Sequence, residues 1–324
     1  MAKIIAVTGA TGAQGGGVVN IMKNVPGWKV RAITRNPSGA AAQKLAAEGL
    51  DVVQASFDDE ASLVKAFEGV HAVFAVTNWW EILFTGHNQA EASQIETEQG
   101  MAIARAAAAQ STLEHYIWST GTDTSTASGG KHPGVSHMDS KALVDEKIRK
   151  ELPALAAKTT YMYMGYYPQN MFTYDCLKPT EFPPGSGTYV QIVPSTADAE
   201  VLMAGDLTHN PGLWVRQILA KGDITYGKYT RVALERWSFQ KAIDVWSEVT
   251  GKKGVFVPCT VEKYTELFGI VGREIGVQFQ FGQMADVWGI EEDKYLDAEK
   301  DLGISADEVI GFRGTMEKWK HTVA

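Results

Sequence analysis

The sequence predicts an α/β protein with a doubly wound parallel sheet of the Rossmann type and a smaller C-terminal α+β domain. Two observations predict it. A glycine-rich turn joins the first apolar strand to a helix, and strand-like and helix-like segments then alternate through the first half. The 324 residues exceed a single minimal nucleotide-binding unit. We therefore expect a nucleotide-binding domain over residues 1–160 and a mainly substrate-side domain over residues 161–324, which can return strands or helices to the first sheet.

The turn after the first strand is the most specific motif of the chain. It carries Gly9, Gly12 and Gly15, the spacing typical of the short-chain and extended dehydrogenase branch. The first glycine permits a tight strand-to-helix turn, the second lets the backbone approach a pyrophosphate, and the third lets the helix pack on the strand. We expect these glycines, with Thr11 and Gln14, to bind a dinucleotide. The alternative is a glycine-rich turn without a ligand.

The end of the second strand, residues 29–34, indicates which dinucleotide is bound. Dinucleotide folds that bind NAD place an acidic residue there, about twenty residues beyond the last glycine, whereas this chain has Arg35. A guanidinium can form a forked, charge-assisted pair with a 2′-phosphate. The sequence therefore favours NADP(H), and the alternative is that Arg35 is an ordinary solvated arginine.

The remaining elements follow from the apolar spacing and the turn residues. In the first half we predict helices at residues 40–49, from 58–60 onward, 91–110 and 139–151, and strands at residues 52–55, 70–76, 115–119 and 159–164. In the second half we predict helices at residues 213–219 and 238–250, strands or strand-like segments at residues 225–234, 255–258 and 277–281, and a turn at residues 286–288. The alternative for residues 277–281 is an exposed amphipathic segment.

Ligands on such sheets bind beyond the carboxyl ends of the strands. Asp58 follows the third strand, where it either reaches the adenine or caps the next helix. Thr77 and Asn78 follow the fourth strand, near the expected nicotinamide end. The adjacent Trp79 and Trp80 are expected either to line a substrate pocket or to pack in the core or at an interface.

Two further strand exits supply candidate catalytic groups. Ser119 or Thr120, after the fifth strand, could bind a substrate carbonyl, although a Ser/Thr/Gly stretch is also ordinary turn chemistry. His137 and Lys141 stand four residues apart on one predicted helix face, the geometry of the YxxxK pair, but the tyrosine is missing. Lys141 could hold the nicotinamide ribose or relay a proton, and His137 could replace the tyrosine as acid. The alternatives are an exposed lysine and a loop histidine.

Aromatic residues cluster at the exit of the sixth strand. Tyr166, Tyr167 and Asn170 are the candidates to line a pocket for an aromatic or apolar substrate, and the alternative is core packing. Composition limits the partners: Lys plus Arg number 30 against 38 Asp plus Glu, a net charge of −8 that argues against general nucleic-acid binding. No pattern indicates a metal site or a membrane span, so we expect a cytoplasmic or nuclear protein. A homodimer is compatible with the sequence.

The chain resembles the NmrA-like family of atypical short-chain dehydrogenases. The resemblance rests on TGATGAQG at residues 8–15, VRAITRNP at residues 30–37, VTNWWE at residues 76–81 and HMDSKALVDEKI at residues 137–148, and continues through GYYPQNM at residues 165–171. It implies NADP(H) binding by Gly9, Gly12, Gly15 and Arg35, and assigns the family's lysine to Lys141. Some members resemble redox sensors that bind a protein partner, and others are reductases of small molecules.

From these residues we expect an oxidoreductase that reduces a C=O, C=N or activated C=C bond of a small organic molecule by hydride transfer from NADPH. The alternative is a non-catalytic NADP(H) redox-sensing regulator that acts through a protein partner.

Overall fold

The computed structural model describes residues 2–132, 134–283 and 292–322, and its centre is a parallel sheet. The strands are β1 (Lys3–Val7), β2 (Trp28–Thr34), β3 (Asp51–Gln54), β4 (Ala72–Ala75), β5 (His115–Thr120), β6 (Thr159–Met164), β7 (Thr180–Glu181), β8 (Thr188–Val193), β9 (Glu200–Met203), β10 (Tyr229–Val232), β11 (Glu235–Ser238), β12 (Lys253–Pro258) and β13 (Tyr295–Leu296). The helices are α1 (Ala13–Met22), α2 (Ala40–Ala47), α3 (Glu60–Ala66), α4 (Trp79–Phe84), α5 (Gln89–Ala108), α6 (Thr124–Ala127), α7 (Ser136–Glu151), α8 (Pro153–Ala156), α9 (Asn170–Thr173), α10 (Asn210–Lys221), α11 (Phe239–Thr250), α12 (Val261–Gly282) and α13 (Phe312–Trp319).

The strand order of the central sheet confirms the predicted fold class. It runs β3-β2-β1-β4-β5-β6-β10-β13, and each neighbouring pair is parallel. The order reverses between β1 and β4, which creates the crevice where ligands of such sheets bind. The last two strands come from the second half of the chain and extend the sheet.

Both faces of the sheet are covered, as its near-continuously apolar strands require. Ile5 and Val7 of β1 pack in one core with residues of α1 and α10, whereas Ala6 packs on the opposite face with residues of α3, α5 and α7. In β5 every residue is buried. The alternation within a strand therefore serves two cores, so the sheet forms the middle of three layers.

The second half adds two small sheets and three longer helices. β9 pairs antiparallel with β11, and β8 lies between β12, which is parallel to it, and β7, which is antiparallel. The predicted helix at residues 238–250 is confirmed: the Ser238 hydroxyl accepts from the amide of Lys241, and Gly251 ends α11 with φ of +72°.

The prediction of a strand-like segment at residues 277–281 is wrong, because these residues lie within α12. Val277, Phe279 and Phe281 alternate as in a strand, but this part of α12 packs on several sides and buries apolar residues away from one stripe. The turn predicted at residues 286–288 lies outside the described residues. No described helix combines the length and apolar character that a membrane span requires.

Candidate functional site

A cavity of about 1090 Å³ opens at the carboxyl ends of the central strands. Its size slightly exceeds the roughly 300–1,000 Å³ of ordinary small-molecule pockets. Every residue that the sequence singled out lies on its wall: Gly9, Thr11, Gly12, Gln14, Gly15, Arg35, Asp58, Thr77, Asn78, Trp79, Trp80, Ser119, Thr120, His137, Lys141, Tyr166, Tyr167 and Asn170. The individual roles of these residues stay predictions.

The glycine turn forms an open cradle between β1 and α1. The Thr8 hydroxyl donates to the Val76 carbonyl at 3.1 Å and accepts from the Val76 amide at 2.8 Å, which fixes the turn against the end of β4. A Cβ on Gly15 would lie 2.3 Å from the Gly9 carbonyl oxygen, so no larger residue fits there. Gly12 is the N-cap of α1 and has no side chain to cap the helix. The first amides of the helix are therefore free for an anion. This cradle fits a pyrophosphate.

Arg35 lies at the outer edge of the cavity and is paired with an acid. Its guanidinium donates to the Glu81 carboxylate of α4, and the two side chains are 58% and 45% exposed. A phosphate on Arg35 therefore competes with Glu81 for the same donors. Glu81 was not singled out from the sequence.

Asp58 does not cap the helix that follows it. Asp59 is the cap of α3, since its side chain accepts from the Ser62 amide, whereas Asp58 accepts from the side chain of Gln99 at 2.8 Å. The capping interpretation of Asp58 is thus wrong, and its carboxylate lies on the cavity wall.

Gln14 links the cradle to two hydroxyls deeper in the cavity. Its amide nitrogen donates to the Tyr167 hydroxyl at 2.6 Å, and its amide oxygen accepts from the Ser119 hydroxyl at 2.6 Å. Burial is the largest influence on the Tyr167 hydroxyl and raises its pKa above the ordinary value. Tyr167 therefore stays protonated at neutral pH and acts as a hydrogen-bonding group.

Lys141 is held by a buried carboxylate. Its ammonium donates to Glu96 of α5, whose side chain has no exposed surface. The same carboxylate accepts from the Thr77 hydroxyl at 2.8 Å and the Ser140 hydroxyl at 2.5 Å. Each hydrogen bond satisfies a buried oxygen, so the pair is a rigid anchor at the base of the cavity. The Thr77 hydroxyl proton is thus used in the hydrogen bond to Glu96.

His137 is held by a second buried carboxylate, Glu274 of α12. One oxygen of Glu274 lies 2.8 Å from Nδ1 of His137 and accepts from its backbone amide at 2.9 Å, and the other accepts from the Gln89 side chain. Burial alone raises the pKa of Glu274, but these hydrogen bonds and the charge of His137 outweigh it, so the pKa lies below its usual range. Glu274 is therefore ionised at neutral pH.

The Thr120 hydroxyl lies beside a buried carboxylate. It donates to Asp145 at 2.7 Å, and Tyr229 contacts the other oxygen of that carboxylate at 3.3 Å. Burial raises the pKa of Asp145 to about 7, against the hydrogen bonds that lower it. The Thr120 hydroxyl thus donates to Asp145 and the Ser119 hydroxyl donates to Gln14, and the role of either in binding a substrate carbonyl stays a prediction.

The aromatic wall combines core and pocket side chains. Trp79 is fully buried, and its indole nitrogen donates to the Ser93 hydroxyl at 3.1 Å, so it packs in the core beneath the cavity. Trp80 is only half-buried, and its ring centroid lies 5.0 Å from that of His137 and 6.2 Å from that of Tyr174. The rings of Trp80 and Tyr174 border an aromatic recess beside His137.

Asn78, Tyr166 and Asn170 complete the predicted wall. The Asn78 side chain caps α4 by accepting from the Glu81 amide at 3.4 Å. Tyr166 contacts the Phe279 ring, with centroids 5.9 Å apart, and Asn170 begins α9 at the rim of the cavity. Tyr166 and Asn170 thus border the space between the strand exits and α12.

The functional residues that the sequence did not reveal are the acidic partners. Glu96 had a detectable signal, because Ala92, Gly100 and Ala104 lie on the same helical stripe and are all buried. A charged residue on such a stripe needs a partner. Glu274 had no such signal, since its segment was interpreted partly as a strand.

The sequence model of the NmrA-like family matches residues 1–315. An NmrA-like family domain-containing oxidoreductase of Aspergillus hancockii is 27% identical over 306 residues, which cover 89% of this chain and 84% of that protein. Another, of Aspergillus campestris, is 28% identical over 308 residues, covering 87% and 83%.

Solved structures share the fold. NmrA, a negative transcriptional regulator, in complex with NADP is 22% identical and superposes with a TM-score of 0.70 over 99% of this chain and 95% of that one. Its complex with NAD gives a TM-score of 0.74 at 21% identity, over 99% and 95%. The NADPH complex of an NADPH-dependent quinone oxidoreductase from Escherichia coli gives 0.68 at 19% identity, over 97% and 99%.

Proposed function

The chain belongs to the NmrA-like family, and on that premise we propose that it is an NADP(H)-dependent oxidoreductase. It reduces a carbonyl, imine or activated C=C bond of a small aromatic or apolar molecule. One observation carries the proposal: the glycine cradle, Lys141 and His137 border the same cavity as the aromatic recess. A cofactor and a substrate can therefore meet beside two proton-donating side chains.

The cradle and its surroundings fit NADP(H). The free amides at the start of α1 would bind the pyrophosphate, Arg35 the 2′-phosphate, and Lys141 the hydroxyls of the nicotinamide ribose. When bound, the nicotinamide supplies the hydride. The complexes of NmrA with NADP and with NAD make both cofactors reasonable ligands to compare, and Arg35 supports NADP(H) for this chain.

The protein's own contribution is to orient the substrate, exclude water and move one proton. The rings of Trp80 and Tyr174 meet at 61° on the cavity wall and offer apolar surface on which an aromatic or apolar substrate packs and loses water. His137 or Lys141 donates the proton that neutralises the charge left on the substrate after the hydride arrives. Glu96 keeps Lys141 in place for either ribose binding or proton transfer.

The test is turnover by the purified protein with NADPH and a panel of quinones, aromatic ketones and cyclic imines. We expect Lys141→Ala to lower kcat/KM by about 10²-fold or more, the usual contribution of a general acid. The matched control is Lys147→Ala, because Lys147 lies on the same helix but is 39% exposed and pairs with Glu151. It should leave turnover unchanged.

An absence of turnover with every substrate class, together with micromolar binding of NADPH, would contradict the enzyme proposal. That result would favour the non-catalytic sensor.

A further inference from the structure

We propose that Glu274 is a positioning residue for proton transfer: it holds the His137 imidazole so that Nδ1–H faces the carboxylate. The imidazolium then gives the proton on Nε2 to the substrate, and the ring is left as the neutral Nδ1–H tautomer. This inference rests on the proposed function. It assigns the second half of the chain a direct part in the chemistry, because α12 supplies Glu274 and α7 supplies His137.

The contacts around the ring fix its orientation. Nδ1 of His137 lies 2.8 Å from one oxygen of Glu274, and the carboxylate itself has no exposed surface. The His137 side chain is 14% exposed and borders the cavity. Within the described ranges no residue forms a hydrogen bond with Nε2. Because a partner on one ring nitrogen determines the role of the other, Nε2 is the nitrogen left for a ligand.

Glu274 is a strong and permanent acceptor. Gln89 donates to its second oxygen, and the backbone amide of His137 donates to the first. A buried ionised carboxylate persists only with such partners. The Trp80 ring, 5.0 Å from the imidazole by centroids, limits rotation of the ring from the cavity side. The imidazole is thus held between a carboxylate and an indole.

A reversal within α12 brings Glu274 to this place. Gly269 has φ of +61° and ψ of −142°, which is not helical, and divides α12 into two arms. Gly272 then packs on the Tyr264 carbonyl, where a Cβ would lie 2.5 Å from the oxygen. The second arm therefore folds back on the first and places Glu274 in contact with His137 of α7. Ile275 of the same arm borders the cavity, so a substrate touches the segment that holds Glu274.

A purely structural role for Glu274 makes different predictions. α7 begins after Val135, which has no side-chain acceptor, and Glu274 supplies one to the His137 amide instead. Glutamine at position 274 keeps an oxygen for that amide and removes the charge. A role limited to helix capping would therefore leave the state of the imidazole and the turnover nearly unchanged in Glu274→Gln.

The matched control is Glu235→Gln. Glu235 also caps a helix, since it accepts from the Phe312 amide of α13 at 3.0 Å, but it does not border the cavity. Its loss should reduce stability without any effect on His137. Glu274→Asp is the conservative variant, which keeps the charge on a shorter side chain.

The experiment combines ¹⁵N NMR of the His137 ring with steady-state kinetics. We expect the neutral ring of the wild type to carry its proton on Nδ1, and the population of this tautomer to fall in Glu274→Gln and to be retained in Glu274→Asp. We expect Glu274→Gln to lower kcat by about 10- to 100-fold with KM within about twofold, the usual loss when the partner that orients a functional histidine is removed. Glu274→Gln in a His137→Gln background should change kcat by less than about twofold, because both residues act through one group.

An unchanged tautomer in Glu274→Gln would overturn the proposal, and so would an equal loss of kcat in the His137→Gln background. The same effect from Glu235→Gln would do so as well. The NMR result does not require turnover, so an inactive wild type would refute the proposed function while the role of Glu274 is still decided. If Glu274→Gln does not fold, the tautomer in Glu274→Asp decides: loss of the Nδ1 proton there refutes the proposal.

Discussion

Arg35 should select NADPH over NADH, and its ion pair with Glu81 should limit how strongly. Arg35→Ala removes the guanidinium, and Glu81→Gln removes only its competitor. The Arg35–Glu81 pair is 58% and 45% exposed, so it contributes about 0–1 kcal/mol. A charge-assisted hydrogen bond to a 2′-phosphate contributes about 1.5–3 kcal/mol. The 2′-phosphate should therefore displace Glu81 from the Arg35 guanidinium. The binding free energy of NADPH is reduced by the free energy of the Arg35–Glu81 pair.

These magnitudes convert into affinities. After subtraction of the cost of displacing Glu81, Arg35→Ala should weaken NADPH binding by about 2- to 150-fold and NADH binding by less than about twofold. Glu81→Gln should strengthen NADPH binding by up to about fivefold, because the guanidinium is then free before the phosphate arrives. Both effects should shrink as salt is added, since the site is half exposed.

Isothermal titration calorimetry with NADPH and NADH at low salt measures both effects. Arg105→Ala is the matched control: Arg105 pairs with Glu60 at similar exposure, 43% and 42%, away from the cavity. Equal losses of NADPH and NADH affinity in Arg35→Ala would refute the role of Arg35. Weaker NADPH binding in Glu81→Gln would refute the competition.

Three further predictions concern residues around the cradle and α7. Gly15→Ala should abolish NADPH binding by calorimetry, since its Cβ would lie 2.3 Å from a backbone oxygen; retained affinity would contradict the cradle. Glu96→Gln should lower the free energy of unfolding in urea by about 1–3 kcal/mol, because Lys141 loses its buried partner; an unchanged midpoint would contradict the anchor. Burial raises the pKa of Asp145 to about 7, so its protonated form stabilises the fold below about pH 4 and that contribution is lost as pH rises to 7. Asp145→Asn should therefore remove a slope of up to about 1.4 kcal/mol per pH unit between pH 4 and 7, and an identical slope in wild type and variant would contradict the burial argument.

The first half of the fold was predictable because each strand is short, apolar and bounded by turn residues. β4 and β5 are buried throughout, and such strands read as continuous apolar runs. α4 was not predicted, since its tryptophans were interpreted as pocket, core or interface residues that follow a strand, and not as part of a helix. α12 was missed for a different reason: its reversal at Gly269 depends on packing between its own arms, which leaves no periodic signal.

The sequence predicted which residues border the cavity, but not which carboxylates pair with them. Strand exits converge at one edge of a parallel sheet, so the residues after β1, β4, β5 and β6 had to meet. The carboxylates that hold these residues lie far away in sequence: Glu96 precedes Lys141 by 45 residues, and Glu274 follows His137 by 137. Which acid reaches which base depends on helix packing, and no local pattern encodes it.

The ion pairs of Lys141 and Arg35 restrict the charge that a substrate can carry in the cavity. Among the described residues on the cavity wall, the lysine and arginine side chains both have carboxylate partners, Glu96 for Lys141 and Glu81 for Arg35. A charged substrate carboxylate would thus find no unpaired cation in the recess and would face the ionised Glu274 beside His137. Because desolvating an unpaired anion is costly, we expect the substrate of the proposed reaction to be uncharged. His137 lies four residues before Lys141, where the YxxxK pair has its tyrosine, and on the proposed function we expect it to donate the proton while Glu274 holds its ring.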